Sequence, residues 1–472
     1  MAYTNNAMLI RRELLTRVVT LLKENSLINK INRIPLEMRP RTPYPIRCCV
    51  HKDRAVIKYK LMAVMGFNIT EEDDELTPLS SYAEKAIERT TTDNKVLTVV
   101  DEACQGCIRI NYMVTNMCRG CEGRPCELNC NKDAIKMVDN KAVIDHSLCV
   151  NCGICKNACP FHAIAYIPVP CEDSCPVAAI KQGEDGVRDI IHDKCISCGK
   201  CVVACPFGAV MEKSNIVDII TSIEKGKQVI AMVAPSIAGQ FKAPLTNILG
   251  SFRDLGFTDV FEVAKGANIT TTNEAAELAE RLEDGHKLMT TSCCKAWTEL
   301  VNRHIPEMQP YVSHTKSPLY YTAEIARAKY PEAILVFVGP CLSKRKEVVE
   351  NPMVDFMLSF EEFGTMLVAN NHNVALCSQV DVDETIEKSG RGYAVSGGVT
   401  KSVMLSYTGP DVKPLLVDGI DKTSIRMLKG YAKGESPVNF IEIMSCEGGC
   451  VNGCGTISNP KVARRQIEQL SS

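Results

Sequence analysis

T-S-C-C-K-A-W at Thr291 to Trp297, G-P-C-L-S-K-R-K-E at Gly339 to Glu347 and E-I-M-S-C-E-G-G-C at Glu442 to Cys450 decide how this chain is read. Each follows an apolar, strand-like run: KLMTT, AILVFV and NFIEI. Strands that run into cysteines predict a sheet whose carboxyl end gathers thiols, and open α/β folds build their sites at that end. Four cysteines converging there are enough to hold an iron–sulfur cube.

Composition points the same way. The chain has 472 residues, 25 cysteines, one tryptophan and a net charge of -2. That length suits about three domains. Disulfide scaffolds are usually short secreted chains, whereas the C-x-x-C runs here are spaced for metal. The N-terminal run MAYTNNAMLIRRELLTRVVTLL is broken by Arg11, Arg12, Glu13 and Arg17 and reads as an amphipathic helix, not a signal peptide. No apolar stretch approaches the ~20 residues of a membrane span. Near-neutral charge gives no support to a nucleic-acid surface. The expectation is a cytoplasmic, anaerobic redox protein with neither membrane nor nucleic acid as partner.

Outward from the three motifs, residues 1–95 carry only Cys48 and Cys49 and show helical patterning, so they are expected to be a small helical segment. Residues 96–214 are cysteine-dense and predict an α+β, ferredoxin-like iron–sulfur domain. Cys149, Cys152, Cys155 and Cys159, and again Cys195, Cys198, Cys201 and Cys205, form C-x2-C-x2-C-x3-C-P. In this bacterial ferredoxin run three cysteines bind one cube and the fourth ligates the other. Crossed ligation between the two runs assigns Cys205 to the first cube and Cys159 to the second.

A less regular set surrounds them. Cys118, Cys121, Cys126 and Cys130 precede NKDAI, which echoes the CPFHAI that starts at Cys159; Cys171 and Cys175 lead into PVAAI; Cys104 and Cys107 make one more C-x2-C. The Cys118 run resembles the two-cluster domain of the glutamate synthase small subunit and of dihydropyrimidine dehydrogenase. Eight extra thiols match two further [4Fe-4S] cubes, partitioned here as Cys118, Cys121, Cys126 with Cys175, and Cys104, Cys107, Cys130 with Cys171. Zinc, or no metal, remains the alternative. From residue 215 to 472, strand-like runs (QVIAMVA, TDVFEVA, HKLMTT, AILVFVG, NFIEIM) alternate with helical patterns and predict α/β with mostly parallel sheet.

Together the three opening motifs resemble the signature motifs of the iron-only, or [FeFe], hydrogenases. The resemblance implies a two-lobed catalytic domain and an H-cluster: a [4Fe-4S] cube on Cys294, Cys341, Cys446 and Cys450, with Cys450 also bridging to a diiron subcluster that carries CO, cyanide and an azadithiolate. It implies that Lys344 contacts one cyanide, that Pro235 and Ser236 contact the other, and that Met444 packs on the diiron site. It further implies a proton relay from Cys293 through Glu274, Ser313 and Glu277 to Arg281. The implied partners are H2 and protons, ferredoxin or a similar soluble carrier, and H-cluster maturation proteins.

Some positions depart from the usual pattern. Lys295 and Ala296 replace Pro-Gly after the cysteine pair, Gly339 stands where Met is usual, Leu319 where Gln is usual, and Cys454 is added after Cys450. These resemble a divergent type often called group B. Cys377 and the scattered histidines show no ligand spacing and read as structural. Three functions are weighed: a catalytic hydrogenase, an H2 or redox sensor with low turnover, and a hydrogenase-like protein without diiron chemistry. Sensors usually carry an added signalling domain, for which nothing after Gly455 is long enough; Cys293, Lys344 and Met444 argue against the third.

Overall fold

The computed structural model describes residues 5–69, 72, 74–89, 95–107, 111–183 and 186–471. Its first part is helical, with Asn6–Lys23, Leu27–Lys30, Ile34–Met38, Val50–Val64 and Leu79–Glu88. Asn5 starts the first helix by accepting the N–H of Met8 at 3.0 Å. Leu14, Leu15, Val18, Val19 and Leu22 recur at helical spacing and are buried. On another face Arg11 and Arg12 both pair with the buried carboxylate of Glu361, Arg12 at 2.7 Å. That carboxylate lies on the helix Phe360–Ala369, so the helical segment is pinned to the catalytic block.

The cysteine-rich region is not one ferredoxin-like unit but two, one nested in the other. In the inner unit, Tyr112–Val114 pairs antiparallel with Ile164–Tyr166, and Ile135–Val138 with Lys141–Ile144. In the outer unit, Leu97–Val99 pairs with Val210–Glu212, and Ile180–Gln182 with Arg188–Ile190. The inner unit closes on itself, since Ile167 N–H donates to Asn111 O at 2.7 Å.

Within this nesting the accessory thiols have neighbours other than those the sequence partition expects. Cys159 lines one small cavity with Cys118, Cys121 and Cys126. Cys130 packs in the same apolar cluster as Cys149 and Cys155, while Cys155 is raised first by burial and then by Cys149 and Cys152. Cys171 is pushed up to about 12 by burial, then by Cys205, Cys107 and Cys104. Cys201 is raised by burial, then chiefly by Cys198, Cys195 and Cys175. By proximity the thiols fall into Cys118, Cys121, Cys126 with Cys159; Cys149, Cys152 and Cys155, with Cys130 in the apolar cluster shared by these two sets; Cys104, Cys107, Cys171 with Cys205; and Cys195, Cys198, Cys201 with Cys175. Each regular run thus lies against its irregular neighbour in sequence and not against the other regular run. Short hairpins pair consecutive halves, and closing a short loop costs less entropy than closing a long one.

A fourfold local repeat accompanies this. The N–H groups of Ala134, Ala163, Ala179 and Ala209 donate to Sγ of Cys130, Cys159, Cys175 and Cys205 at 3.3, 3.4, 3.2 and 3.4 Å. The residue before each alanine, Asp133, His162, Ala178 or Gly208, has a left-handed backbone.

The catalytic block has two parallel sheets. One runs Asp259–Glu262, Val229–Val233, Ile334–Val338, Phe356–Leu358; the other Met289–Thr290, Phe440–Met444, Pro414–Asp418. Val229–Val233 and Phe440–Met444 are buried throughout, as central parallel strands covered on both faces must be. The α/β expectation therefore holds. Phe356–Leu358 and Pro414–Asp418 are added strands that the sequence reading did not pick out.

Candidate metal centre at the carboxyl ends of two sheets

Five strands deliver the site. Val229–Val233 leads to Pro235 and Ser236, Ile334–Val338 to Cys341, Met289–Thr290 to Cys293 and Cys294, and Phe440–Met444 to Cys446 and Cys450; Asp259–Glu262 feeds the long helix Ala264–Glu283 that carries Glu274, Glu277 and Arg281. Cys294 and Cys341 each occupy the N-cap of a helix, Lys295–His304 and Leu342–Glu350, where the helix dipole favours a thiolate. Trp297, fully buried, donates Nε1–H to Thr290 Oγ1 at 3.2 Å and holds the first of these helices to its strand.

Cys294, Cys341, Cys446 and Cys450 converge. Burial raises Cys294, Cys446 and Cys450, the last to about 12, and Cys341 adds repulsion to all three. Four half-buried, convergent thiols suit a multivalent thiophilic centre, and the donor set suits an iron–sulfur cube. Beside them a cavity of about 90 Å³ is lined by Cys293, Cys294, Cys341, Cys450, Lys344 and Met444, with Pro235, Ser236 and Leu319 completing the wall. Ser236 Oγ is buried and has no hydrogen-bond partner among the described residues. A hydroxyl left unpaired on an apolar wall fits a site that receives a polar ligand group. Lys344 also faces the cavity and gives one donor to Glu347 Oε2 at 2.6 Å. At Gly339 a Cβ would lie 2.6 Å from the ring of Phe337, which itself lines the cavity. The phenyl ring thus takes the room that a larger residue at 339 would use.

The structure also brings the five relay candidates together. Glu274 is fully buried, its Oε1 accepting Ser292 N–H at 3.2 Å and its Oε2 unpartnered among the described residues. Burial pushes its carboxyl up to about 8. Cys293 is raised by burial and next by Glu274. Ser313 Oγ donates to Glu277 Oε2 at 2.6 Å, and Arg281 pairs with Glu277 Oε1 at 2.6 Å. Burial alone would raise Glu277, but hydrogen bonds from Ser313 and His314 and the charge of Arg281 outweigh it and leave it lowered. A carboxyl that burial raises thus lies one helical turn from one that its partners hold ionised.

Tyr393 was not anticipated. It lines the cavity and shares a 2.8 Å hydrogen bond with Thr271 on the helix of Glu274; nothing in GRGYAVSGG sets this tyrosine apart from any core aromatic. Cys454 packs behind the four thiols: a Cβ on Gly199 would meet its Sγ at 2.5 Å, and Cys454 contributes to the raised state of Cys446. Ser343 Oγ donates to Ser197 O at 3.2 Å, joining the helix of Cys341 to the loop between Cys195 and Cys198. Cys377, read as structural, has Asp254 and His372 near its sulfur, their ligand-type atoms all within 4.8 Å. Asp254 there is already engaged by Ser378 N–H and Oγ–H at 2.9 and 2.6 Å.

Residues 227–454 match the family described as iron only hydrogenase large subunit, C-terminal domain. Residues 165–216 match the LdpA Fe-S cluster-binding domain and residues 142–165 the 4Fe-4S binding domain. Iron hydrogenase 1 of Clostridium pasteurianum is 28% identical over 401 residues, covering 72% of this chain and 69% of that protein. The periplasmic [Fe] hydrogenase large subunit of Nitratidesulfovibrio vulgaris is 27% identical over 380 residues, 68% of this chain and 87% of that protein. A solved [FeFe]-hydrogenase structure, HydA(deltaEFG), aligns at 20% identity over 55% of this chain and 88% of its own, with a TM-score of 0.46. With its cysteine quartet set between two parallel sheets and iron–sulfur-binding matches ahead of it, the chain is similar to the large subunits of [FeFe] hydrogenases.

Proposed function

We propose that this protein is an oxidoreductase acting on H2, interconverting it with protons and electrons at an H-cluster on Cys294, Cys341, Cys446 and Cys450. The observation that carries the reading is the convergence of these thiols on a cavity that also presents Cys293, Lys344 and Met444. When bound, the centre supplies hydride chemistry and electron storage. The protein's own residues do the rest. Lys344 lends a charged donor to the cavity wall. Pro235, Ser236, Met444 and Leu319 keep bulk water away. Cys293 exchanges a proton with the cavity, Glu274 accepts or returns it, and Ser313 and Glu277 pass it toward Arg281 and the surface.

Electrons follow the four accessory groups. The group of Cys195, Cys198, Cys201 and Cys175 adjoins the catalytic cavity, as Cys198 and Cys294 pack on one apolar cluster. The group with Cys104, Cys107, Cys171 and Cys205 follows. Tyr112, close to Cys149, Cys152, Cys155 and Asp173, bridges toward the nested unit, which forms the outer end. Ferredoxin or a similar carrier exchanges electrons there, maturation proteins install the diiron part, and the working location is the cytoplasm. Among the described residues no helix is long and apolar enough to cross a membrane. The substitutions at Lys295, Ala296, Gly339 and Leu319 mark a divergent type. An infrared spectrum of matured protein tests the reading: CO and cyanide bands are expected, and their absence would overturn it.

A further inference from the structure

The helical segment ahead of the cysteine-rich region drives a lysine into it. Lys60, on Val50–Val64, is 3% exposed, and its Nζ donates to Phe207 O at 3.3 Å. A Cβ on Gly208 would stand 2.9 Å from that Nζ, so the ammonium rests on the turn that follows Cys205. A cavity of about 30 Å³ joins the two parts and is lined by Lys60, Arg11, Cys205 and Cys454. Two cations nearby have carboxylate partners: Arg11 has Glu361, and Arg47 has Asp53 at 3.0 Å. Lys60 has none in ion-pair reach among the described residues, and its one hydrogen bond goes to a carbonyl. Burial opposes its charge first, then Arg47, Arg11 and Arg39 repel it, while Cys205 attracts it.

A buried ammonium without a counter-anion is unfavourable, and such a group either sheds its proton or meets a negative charge. A cube on four thiolates is a dianion when oxidised and a trianion when reduced. We propose that Lys60 is the fixed counter-cation of the cube on Cys104, Cys107, Cys171 and Cys205, and that it raises the reduction potential of that cube above what its protein ligands alone would set. The inference rests on the cluster reading given above. A cation favours the more negative, reduced state, so it makes this cube the easier place to park an electron. That cube lies between the one beside the catalytic cavity and the nested unit, so its potential governs traffic along the whole wire. Residues 1–95 thereby acquire a role as a cap that delivers charge, and the pairing of Arg11 and Arg12 with Glu361 keeps the cap in place.

The test is a reductive titration of the iron-loaded full chain followed by paramagnetic resonance, comparing wild type with Lys60→Met and Lys60→Arg. In Lys60→Met, at unchanged iron content, one accessory component should become at least tenfold harder to reduce, ~59 mV for one electron. The other components should stay in place, and Lys60→Arg, which keeps the charge, should titrate close to wild type. Components that all coincide with wild type in Lys60→Met, or that all move together, overturn the proposal. Wild-type protein carrying fewer irons than four accessory cubes need would instead overturn the cluster assignment beneath it.

Discussion

At the scale of single residues the proposed function divides two tasks between the neighbours Cys293 and Cys294. Cys294 points into the thiol quartet and Cys293 toward Glu274. Cys293→Ala should keep the infrared signature of a diiron centre and lose roughly a hundred- to ten-thousand-fold in turnover, because a relay group is gone and the metal is not. Wild-type rates of both H2 oxidation and evolution in that variant would rule the relay out. Glu274 offers a check that needs no clusters. Its carboxyl titrates near 8 when folded and near the ordinary ~4.3 when unfolded, so the folded state holds its proton more tightly. Stability is then fully present below the unfolded value and is lost as pH rises toward 8. Glu274→Gln removes this dependence, and the melting temperature of the variant minus that of wild type should grow from pH 5 to pH 9. A constant difference would show that Glu274 ionises normally. The cysteines and the Glu274–Glu277–Arg281 spacing were legible as residues; Tyr393 was not, since its place on the cavity wall comes from a turn far away in sequence.

At the scale of elements, helices were read well where caps and apolar spacing agree. Ser359, for instance, starts Phe360–Ala369 with a capping box to Glu362. The strand Pro414–Asp418 escaped because it opens on proline and only one of its residues is buried. The helix Lys200–Ala204 begins at Gly199, whose φ is +79° and whose missing Cβ leaves room for Cys454 Sγ. Gly199→Ala should therefore destabilise both by backbone strain, about 1–2 kcal/mol, and by collision. Gly199→Ala with Cys454→Gly relieves the collision alone, so the double variant should melt above the Gly199→Ala single. Additive effects of the two substitutions would mean that the contact carries no strain. Likewise, Arg11→Ala with Arg12→Ala leaves Glu361 buried without counter-charge, a cost of about 3–5 kcal/mol. Faster proteolysis of the helical segment would report it.

For the whole molecule the nesting of one ferredoxin-like unit in another makes a sharp forecast. Asn111 and Ile167 are already hydrogen-bonded, so a short linker replacing the residues between them should spare the outer unit. Such a protein should lose about eight of roughly 22 irons, those of two cubes, and keep the clusters on Cys175 and Cys205. Loss of all accessory clusters would instead favour crossed ligation between the two regular runs.

By itself, the sequence determined the chemistry. Cysteine spacing is a local property, so C-x2-C-x2-C-x3-C-P, the C-x3-A turns and the three strand-to-cysteine motifs announce iron–sulfur ligands wherever they fold, and the run of buried strands announces parallel sheet. Which cysteines come near one another was decided only in three dimensions. The last cysteine of each run can close with any partner half, and the choice falls to strand pairing: Ile164–Tyr166 finds Tyr112–Val114, and Val210–Glu212 finds Leu97–Val99. The same holds for Lys60. An ordinary lysine of an amphipathic helix becomes a buried charge beside Cys205 only because Arg11, Arg12 and Glu361 lock that helical segment against the rest of the chain.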